Sequence, residues 1–286
     1  MFIVTGASGN LGSRIVERLL TLVPANEIGI SVRDISTAAE FADRGVRVRS
    51  GDFTDPTSLV TAFEGAHRVL VVSALIRGGS AVTANCTAID AAYAAGAEHV
   101  LYTSHQAASG DSLFAPQVTH AETEHHLEQS GRSFTSLRNG FYVTTLEHYV
   151  GGAIESGKLV VPEDGPVSWT GHDDLAEAAA IALSTPGTLD GISAPLTAGE
   201  LVDFTAVAQQ LSEISGRLVE RVVIGDDKWK SAGIERGMPA PAAEFALGMF
   251  RAARNGEFAV TDPTLESIIG HPASSVRSYL EQLTTR

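Results

Sequence analysis

The feature that most constrains this 286-residue chain lies in its first dozen residues. Phe2-Ile3-Val4-Thr5 is a short apolar run, and Gly6-Ala7-Ser8-Gly9-Asn10-Leu11-Gly12 follows it directly and opens a helix-periodic stretch from Leu11 to Leu22. A strand that passes into a helix through three glycines is the arrangement that cradles a pyrophosphate. Gly6 suits the tight turn, Gly9 lets backbone approach the anion, and Gly12 permits close packing of helix on strand. The helix start adds unpaired N–H groups and a partial positive charge. Ser8, Asn10 and Leu11 complete the predicted phosphate-binding loop.

The rest of the first half repeats the same rhythm. Strands are predicted at Phe2–Thr5, Glu27–Val32, Val46–Arg49, Arg68–Ser73, His99–Thr103 and Ser133–Arg138, with helices at Leu11–Leu22, Ser36–Ala42, Pro56–Phe63, Ser80–Ala95 and Val118–Gln129. Several strands, such as Val69-Leu70-Val71-Val72, are apolar without alternation, as strands buried on both faces are. The longest such run, Val69 to Ile76, is too short to cross a bilayer. After Tyr149 helices dominate: Asp173–Ser184, Asp203–Ser215, Asp226–Gly233, Pro241–Asn255 and Ser274–Leu283. Extended pieces at Lys158–Val161, Ile192–Leu196 and Val219–Val223 lie among them. The expected architecture is α/β, a Rossmann-type doubly wound parallel sheet with a smaller, mostly helical C-terminal lobe. Residues 1–150 form the NAD(P)-binding part, and residues 151–286 are expected to be interleaved with it, completing the core and building the substrate-side lobe.

Candidate cofactor residues sit at the carboxyl ends of these strands, where open α/β sheets bind ligands. Strand two ends in Ser31-Val32-Arg33-Asp34. An arginine there pairs with a 2′-phosphate, whereas an acid accepts from a free ribose 2′-hydroxyl. Arg33 comes first, so NADP is favoured and Asp34 keeps NAD open. Asp52 and Phe53 follow strand three at the adenine position, Ser73 ends strand four, and Thr103, Ser104 and His105 end strand five. Asp55-Pro56 reads as a helix cap and first helical residue, and Trp169 to Asp174 as a strand entering a helix capped by Asp173 or Asp174.

Composition excludes other classes. Acidic residues outnumber basic ones 34 to 20, a formal charge of -14, and no Lys/Arg run supplies a basic patch, so nucleic acid and anionic membranes are not expected partners. Cys86 is the single cysteine and falls in an Ala-rich helical stretch, where it reads as a buried, inert thiol. The nine histidines show no metal-ligand spacing, and His125 and His126 read as solvated helix residues. With no leader pattern at Met1–Gly6, the expected compartment is the cytoplasm.

The Tyr-x-x-x-Lys pair of short-chain dehydrogenases occurs nowhere in the chain. The matching helix reads Pro116-Gln117-Val118-Thr119-His120, which puts Pro116 at the tyrosine position and His120 at the lysine position. Hydride addition to a simple ketone leaves an alkoxide, whose conjugate-acid pKa is comparable with that of water, about 15.7, and which needs a strong local acid. Hydride addition to a quinone leaves a phenolate-like anion with a conjugate-acid pKa of about 10. The missing pair therefore points away from simple ketones and towards flat, charge-delocalising acceptors.

Three blocks carry a resemblance to a known family: Val4 to Gly12 with Tyr102-Thr103-Ser104, then His120-Ala121-Glu122-Thr123-Glu124-His125-His126-Leu127-Glu128-Gln129-Ser130-Gly131, then Leu137-Arg138-Asn139-Gly140-Phe141-Tyr142. With Ile269-Gly270-His271-Pro272, they resemble the NmrA-like atypical short-chain dehydrogenases/reductases. Within these, the branch of bacterial type 2 NAD(P)H:quinone oxidoreductases and triphenylmethane reductases is the most similar. The resemblance implies NADP in the cleft and hydride transfer to a small quinone-like acceptor; no flavin is expected, since the single recognisable nucleotide site goes to NADP, and the histidine spacing gives no metal. It places His120 near the nicotinamide ribose, with Asn139, Phe141 and Tyr142 on the substrate side. His120 and Tyr142 are the candidate catalytic residues. An NADP-binding redox sensor or regulatory protein without turnover is the alternative.

Overall fold

The computed structural model describes residues 1–74 and 79–285. Its first half contains β1 (Phe2–Thr5), α1 (Asn10–Leu22), β2 (Ile28–Val32), α2 (Ala39–Asp43), β3 (Arg47–Ser50), α3 (Pro56–Phe63), β4 (Arg68–Val71), α4 (Gly79–Ala94), β5 (His99–His105), α5 (Ala115–Gln129) and β6 (Phe134–Asn139). Then come β7 (Phe141–Tyr142), α6 (Glu147–Val150), α7 (Ala153–Ser156), β8 (Lys158–Val161), β9 (Trp169–Thr170), α8 (His172–Ser184) and β10 (Gly191–Ile192). The chain finishes with α9 (Phe204–Ser215), β11 (Glu220–Val223), α10 (Asp226–Glu235), α11 (Ala240–Arg254), α12 (Thr264–Ile269) and α13 (Val276–Thr284). The apolar run expected to reach Ile76 forms β4 only to Val71, and Leu75 and Ile76 lie outside the described residues.

Seven strands form one parallel sheet in the order β10-β6-β5-β4-β1-β2-β3. The direction of winding reverses at β1, which pairs Phe2 with Ile28 of β2 on one side and with Arg68 of β4 on the other. The crevice above that reversal is where such sheets bind ligands. Burial on both faces explains the strand composition. Val4, Leu70, Leu101 and Leu137 face α1 and α8, whereas Ile3, Val69, Val71, Val100 and Tyr102 face α3, α4 and α5. The alanines Ala176, Ala178, Ala179, Ala180 and Ala182 of α8 are all buried and let that helix lie close against α1.

A second apolar cluster gathers Phe141, Leu146, Leu159, Trp169, Phe204, Phe250 and Phe258 with residues of α11 and α13. Parallel β8 and β11 belong to this part, as do the two-residue partners β7 and β9. The late chain therefore builds two things. Its α8, β10 and α12 return to the large sheet, and α9, α11 and α13 pack round the aromatic cluster.

Local differences from expectation have clear causes. The helix expected at Ser36–Ala42 is a 3-10 turn, Ile35–Ala38, followed by α2, because the Asp34 carboxylate caps at Ser36 N–H and tightens the entry. Of the extended piece at Ile192–Leu196, only its start pairs as β10, and Leu196 bridges singly to Asn139. The cap of α8 is Gly171 and not an aspartate: Asp173 pairs with Arg14, and Asp174 accepts from Ser274 N–H at 2.9 Å. Asp55 caps α3 as read, accepting from Thr57 N–H at 3.0 Å.

The loop between β1 and α1 is set by two glycines. Gly6 has φ +62°, and its carbonyl accepts from Gly9 N–H at 2.9 Å. A Cβ at Gly12 would stand 2.2 Å from that same Gly6 oxygen, so a side chain there would force the helix off the turn. Gly12→Ala is expected to cost about 1–3 kcal/mol in equilibrium urea unfolding. Gly110→Ala, where a Cβ meets nothing within 4 Å, should stay within about 0.5 kcal/mol of wild type. Equal midpoints for the two variants would show that the turn yields without cost.

Candidate active site

The N-terminus of α1 opens at the crevice. Gly9 is its cap and offers no side chain to the first helical N–H groups, those of Asn10, Leu11 and Gly12. Ser8 on the loop and Asn10 at the first helical position are exposed, and the Asn10 carboxamide oxygen accepts from Arg14 at 2.9 Å. Leu11 is buried and anchors the turn from below. Across the crevice, Thr5 Oγ1 accepts from Val72 N–H at 2.9 Å and Thr103 Oγ1 from Ser73 N–H at 2.8 Å, fixing the ends of β1, β4 and β5 relative to one another. This is an anion cradle with donors left over.

At the tip of β2 the two residues that bear on cofactor choice have separated. Asp34 is committed to capping, with its carboxylate bonded to Ser36 N–H at 2.9 Å and Ser36 Oγ at 2.7 Å. Arg33 is exposed, and its charge reaches the Asp52 carboxylate. Asp52 itself is held below the usual carboxylate range, chiefly by the Thr54 backbone N–H at 2.8 Å. Phe53 lies half-buried against the α3–α4 side of the core.

Strand alternation divides the remaining candidates. Ser104 faces α5, where its buried hydroxyl donates to Glu124 at 2.7 Å; Ser136 and Arg138 bond the same carboxylate. It braces helix against sheet and is turned from the crevice. Thr103 points the other way, towards Ser73. Phe141, expected beside the acceptor, is 6% exposed and sits among Phe114, Trp169 and Phe258, with His105 edge-on to it at 5.2 Å. Its neighbour Tyr142 turns to the opposite side and packs against His172, ring centroids 4.3 Å apart. Burial raises the Tyr142 pKa, and the adjacent Asn139 amide works against that rise. Asn139 is 1% exposed, and neither polar atom of its amide has a hydrogen-bond partner of good geometry; His172 Nδ1 is likewise buried and unpartnered. Buried polar groups left open in this way suit a ligand.

The residues that sequence reasoning did not assign stand around His120. Its Nδ1 lies 2.8 Å from the hydroxyl of fully buried Tyr102, which also accepts from Asn85 Nδ2 at 3.0 Å. His105 lies beside it with ring centroids 6.3 Å apart, and Gln117 Nε2 reaches His105 Nδ1 at 2.7 Å. Burial lowers the His120 pKa to about 4, against a raising influence of Glu124, and that of His105 to about 3. Burial pushes the Tyr102 phenol far above its ordinary value. The Tyr102 ring belongs to the core, and only the end of its side chain reaches the site. Elsewhere, His126 pairs with Asp90 at 2.8 Å, and burial pushes the Cys86 thiol up to about 11. Among the described residues, no group of three or more His, Cys, Asp or Glu side chains could hold a metal, and no helix is long and apolar enough to cross a membrane.

This sheet and cradle define a dinucleotide-binding protein of the Rossmann class. A narrower match follows: the NmrA-like family model fits residues 1–283, and the chain belongs to that family. Quinone oxidoreductase 2 of Escherichia coli is 30% identical over 284 residues, covering 99% of this chain and 98% of that protein. The crystal structure of the E. coli enzyme with NADPH superposes with a TM-score of 0.92 over 99% of this chain and 100% of that one. The NAD(P)H azoreductase of Xenophilus azovorans is 29% identical, covering 98% of this chain and 96% of that protein. The triphenylmethane reductase of Citrobacter sp., complexed with NADP(H), is 30% identical with a TM-score of 0.91, covering 99% of each chain. The chain is a reductase of this family.

The buried imidazoles make stability depend on pH. His105, His120, His172 and His99 all have folded-state pKa values lowered by burial, to about 3 or 4. The unfolded chain takes up protons first, at the ordinary histidine pKa of about 6.5, so their contribution is present above that pH and lost as pH falls towards 4. The urea midpoint at pH 5.0 should fall below that at pH 7.5. Equal midpoints would mean that these rings titrate alike in both states.

Proposed function

We propose that this protein is an NADPH-dependent reductase that passes hydride to a small quinone-like or other charge-delocalising acceptor, without flavin or metal. The observation that carries the reading is that, among the described residues, no usable acid stands around His120. His105 and His120 are neutral at physiological pH, Tyr102 is held protonated by burial, and the Glu124 carboxylate is occupied by Arg138 and two serines. An acceptor reduced here must tolerate hydride without prompt protonation, which quinones and cationic dyes do and simple ketones do not.

The residues present fit the cofactor. The cradle at Gly6–Gly12, with Ser8, Asn10 and Leu11, would take the pyrophosphate, Arg33 the 2′-phosphate, and Asp52 with Phe53 the adenine. Ser73 and Thr103 would border the cofactor near the switch point, with Ser104 bracing that edge, and His120 would hold the nicotinamide ribose. When bound, NADPH supplies the hydride. Residues 1–150 would carry most of this site. The interleaved residues 151–286 would close its acceptor side, where Asn139 and Tyr142 stand and Phe141 backs them. Sequence relatives that reduce quinones and azo compounds, and a structural neighbour named for triphenylmethane reduction, support the same choice.

Arg33 is expected to select NADPH by a charge-assisted contact of about 1.5–3 kcal/mol. Arg33→Ala should weaken NADPH binding roughly ten- to a hundredfold in fluorescence titration and leave NADH nearly unchanged. Equal affinities in the wild type would assign the choice elsewhere.

The reaction is tested by following NADPH consumption with a benzoquinone, an azo dye and a simple aliphatic ketone, with the non-enzymatic rate subtracted. Turnover of the quinone or dye well above the ketone, by colourless protein without added flavin, is the expected result. Preferential ketone reduction would reveal an acid outside this group. Tight NADPH binding with no turnover of any acceptor would favour a redox sensor.

A further inference from the structure

The protonated nitrogen of each site histidine follows from backbone groups that can only donate. Ala74 N–H donates to Asn85 Oδ1 at 2.9 Å, which places the Asn85 oxygen and leaves its Nδ2 facing Tyr102. Tyr102 accepts that bond at 3.0 Å, so its own proton goes to His120 Nδ1 at 2.8 Å. His120 therefore carries its hydrogen on Nε2. His105 is fixed in the same sense. Ala107 N–H points at His105 Nδ1 in a long contact of 3.5 Å, and Gln117 Nε2 donates to the same atom at 2.7 Å. An N–H at Nδ1 would face both donors, so His105 also carries its hydrogen on Nε2.

Two neutral N–H donors thus stand side by side at the carboxyl end of the sheet, in rings inclined by only 29°. Neither Nε2 has a hydrogen-bond partner among the described residues, and both histidines are only part-buried. The His105 ring packs nearly perpendicular to Phe141, centroids 5.2 Å apart, and against Phe258 at 5.8 Å. Phe258 is fixed in turn through its carbonyl, which accepts from buried Gln106 at 3.0 Å. So rigid a donor with no protein acceptor is the kind of group that stabilises charge appearing on a substrate.

We propose that His105 is an acceptor-binding residue of this site, its Nε2–H donating to the oxygen on which negative charge collects when a quinone takes up hydride. The inference rests on the reductase reading above, which gives His120 to the cofactor ribose and leaves His105 for the acceptor. Hydride uptake breaks the C–H bond of a dihydronicotinamide, which is oxidised to the pyridinium. The quinone gains two electrons and one hydrogen and becomes a hydroquinone monoanion, and water supplies the final proton. The neutral imidazole donates a hydrogen bond throughout and gives up no proton. Such a donor favours acceptors whose charge ends on oxygen and adds nothing for a carbocationic dye, whose product is neutral. Oxygen-centred acceptors should therefore be the preferred class.

Three measurements on the full chain test this. First, 15N-histidine NMR of the wild type should show both rings as the Nε2–H form at neutral pH; an Nδ1–H signal for His105 would overturn the proposal. Second, binding of 4-nitrophenolate to the NADP⁺-loaded protein, read by absorbance, should weaken at least about tenfold in His105→Phe and recover in part in His105→Gln, which restores an N–H. Third, His105→Phe should lower the ratio of kcat/KM for benzoquinone to that for a cationic triarylmethane dye by a similar factor. NADPH affinity within about twofold of wild type would confirm that this variant is folded. Nitrophenolate binding and a quinone-to-dye ratio both unchanged in His105→Phe would overturn the role of His105. Wild-type protein that binds nitrophenolate through His105 but reduces no acceptor would instead defeat the reductase reading, with the oxyanion site left standing.

Discussion

The carbonyl oxygen of Gly6 is the point on which the site depends. It accepts from Gly9 N–H at 2.9 Å, and it lies where any side chain at Gly12 would be. This single contact sets the distance between the first strand and the first helix. It thereby fixes where the free N–H groups of α1 point, and everything placed at the carboxyl edge of the sheet is measured from there. The turn costs the left-handed backbone of Gly6, which a side chain would strain. The rest of the edge is tied by side chains to strand ends: Thr5 to Val72, Thr103 to Ser73, Ser104 to Glu124. A rigid sheet rim of this kind keeps donors in place without help from flexible loops.

Much of this was legible in the sequence, for physical reasons. Strands buried on both faces must be apolar throughout, so β1 and β4 stood out, and three glycines between a strand and a helix admit few geometries. Asp55-Pro56 marked a helix start because a cap and a fixed φ leave little choice. What the sequence concealed depends on which way a side chain turns. Thr103 and Ser104 read alike, yet one faces the crevice and the other a buried carboxylate. Phe141 and Tyr142 are adjacent aromatics, and a two-residue strand sends them to different cores. Asp173 and Asp174 resembled caps, but tertiary partners, Arg14 and Ser274, claimed them. His105 was named only as a strand end, because its partner Gln117 lies on the following helix and no spacing rule links the two.

Charge follows the same logic at a larger scale. A chain with a net charge of -14 must draw in an anionic dinucleotide through local groups, since its overall field opposes the approach. The structure supplies the open N-terminus of α1 and one exposed arginine whose neighbouring acid is already engaged. At the two site histidines the chain presents no full charge. Burial removes it from His105 and His120 and leaves polar N–H bonds, which are cheaper to desolvate and keep their orientation.

The way α8 and β10 return to the large sheet bears on how the chain is made. Helix α1 is made well before the helix that packs beside it, which comes about 160 residues later, and the edge strand beside β6 follows that strand by about 50 residues. A nascent chain stopped near Tyr149 would hold the whole glycine loop and still leave apolar residues such as Ile15 and Leu19 without part of their packing. Contacts so distant in sequence form late, because loop closure must precede them. The first half of the sheet therefore completes its packing only once α8 and β10 have been made, and until then the uncovered side of α1 is a surface for chaperones to hold.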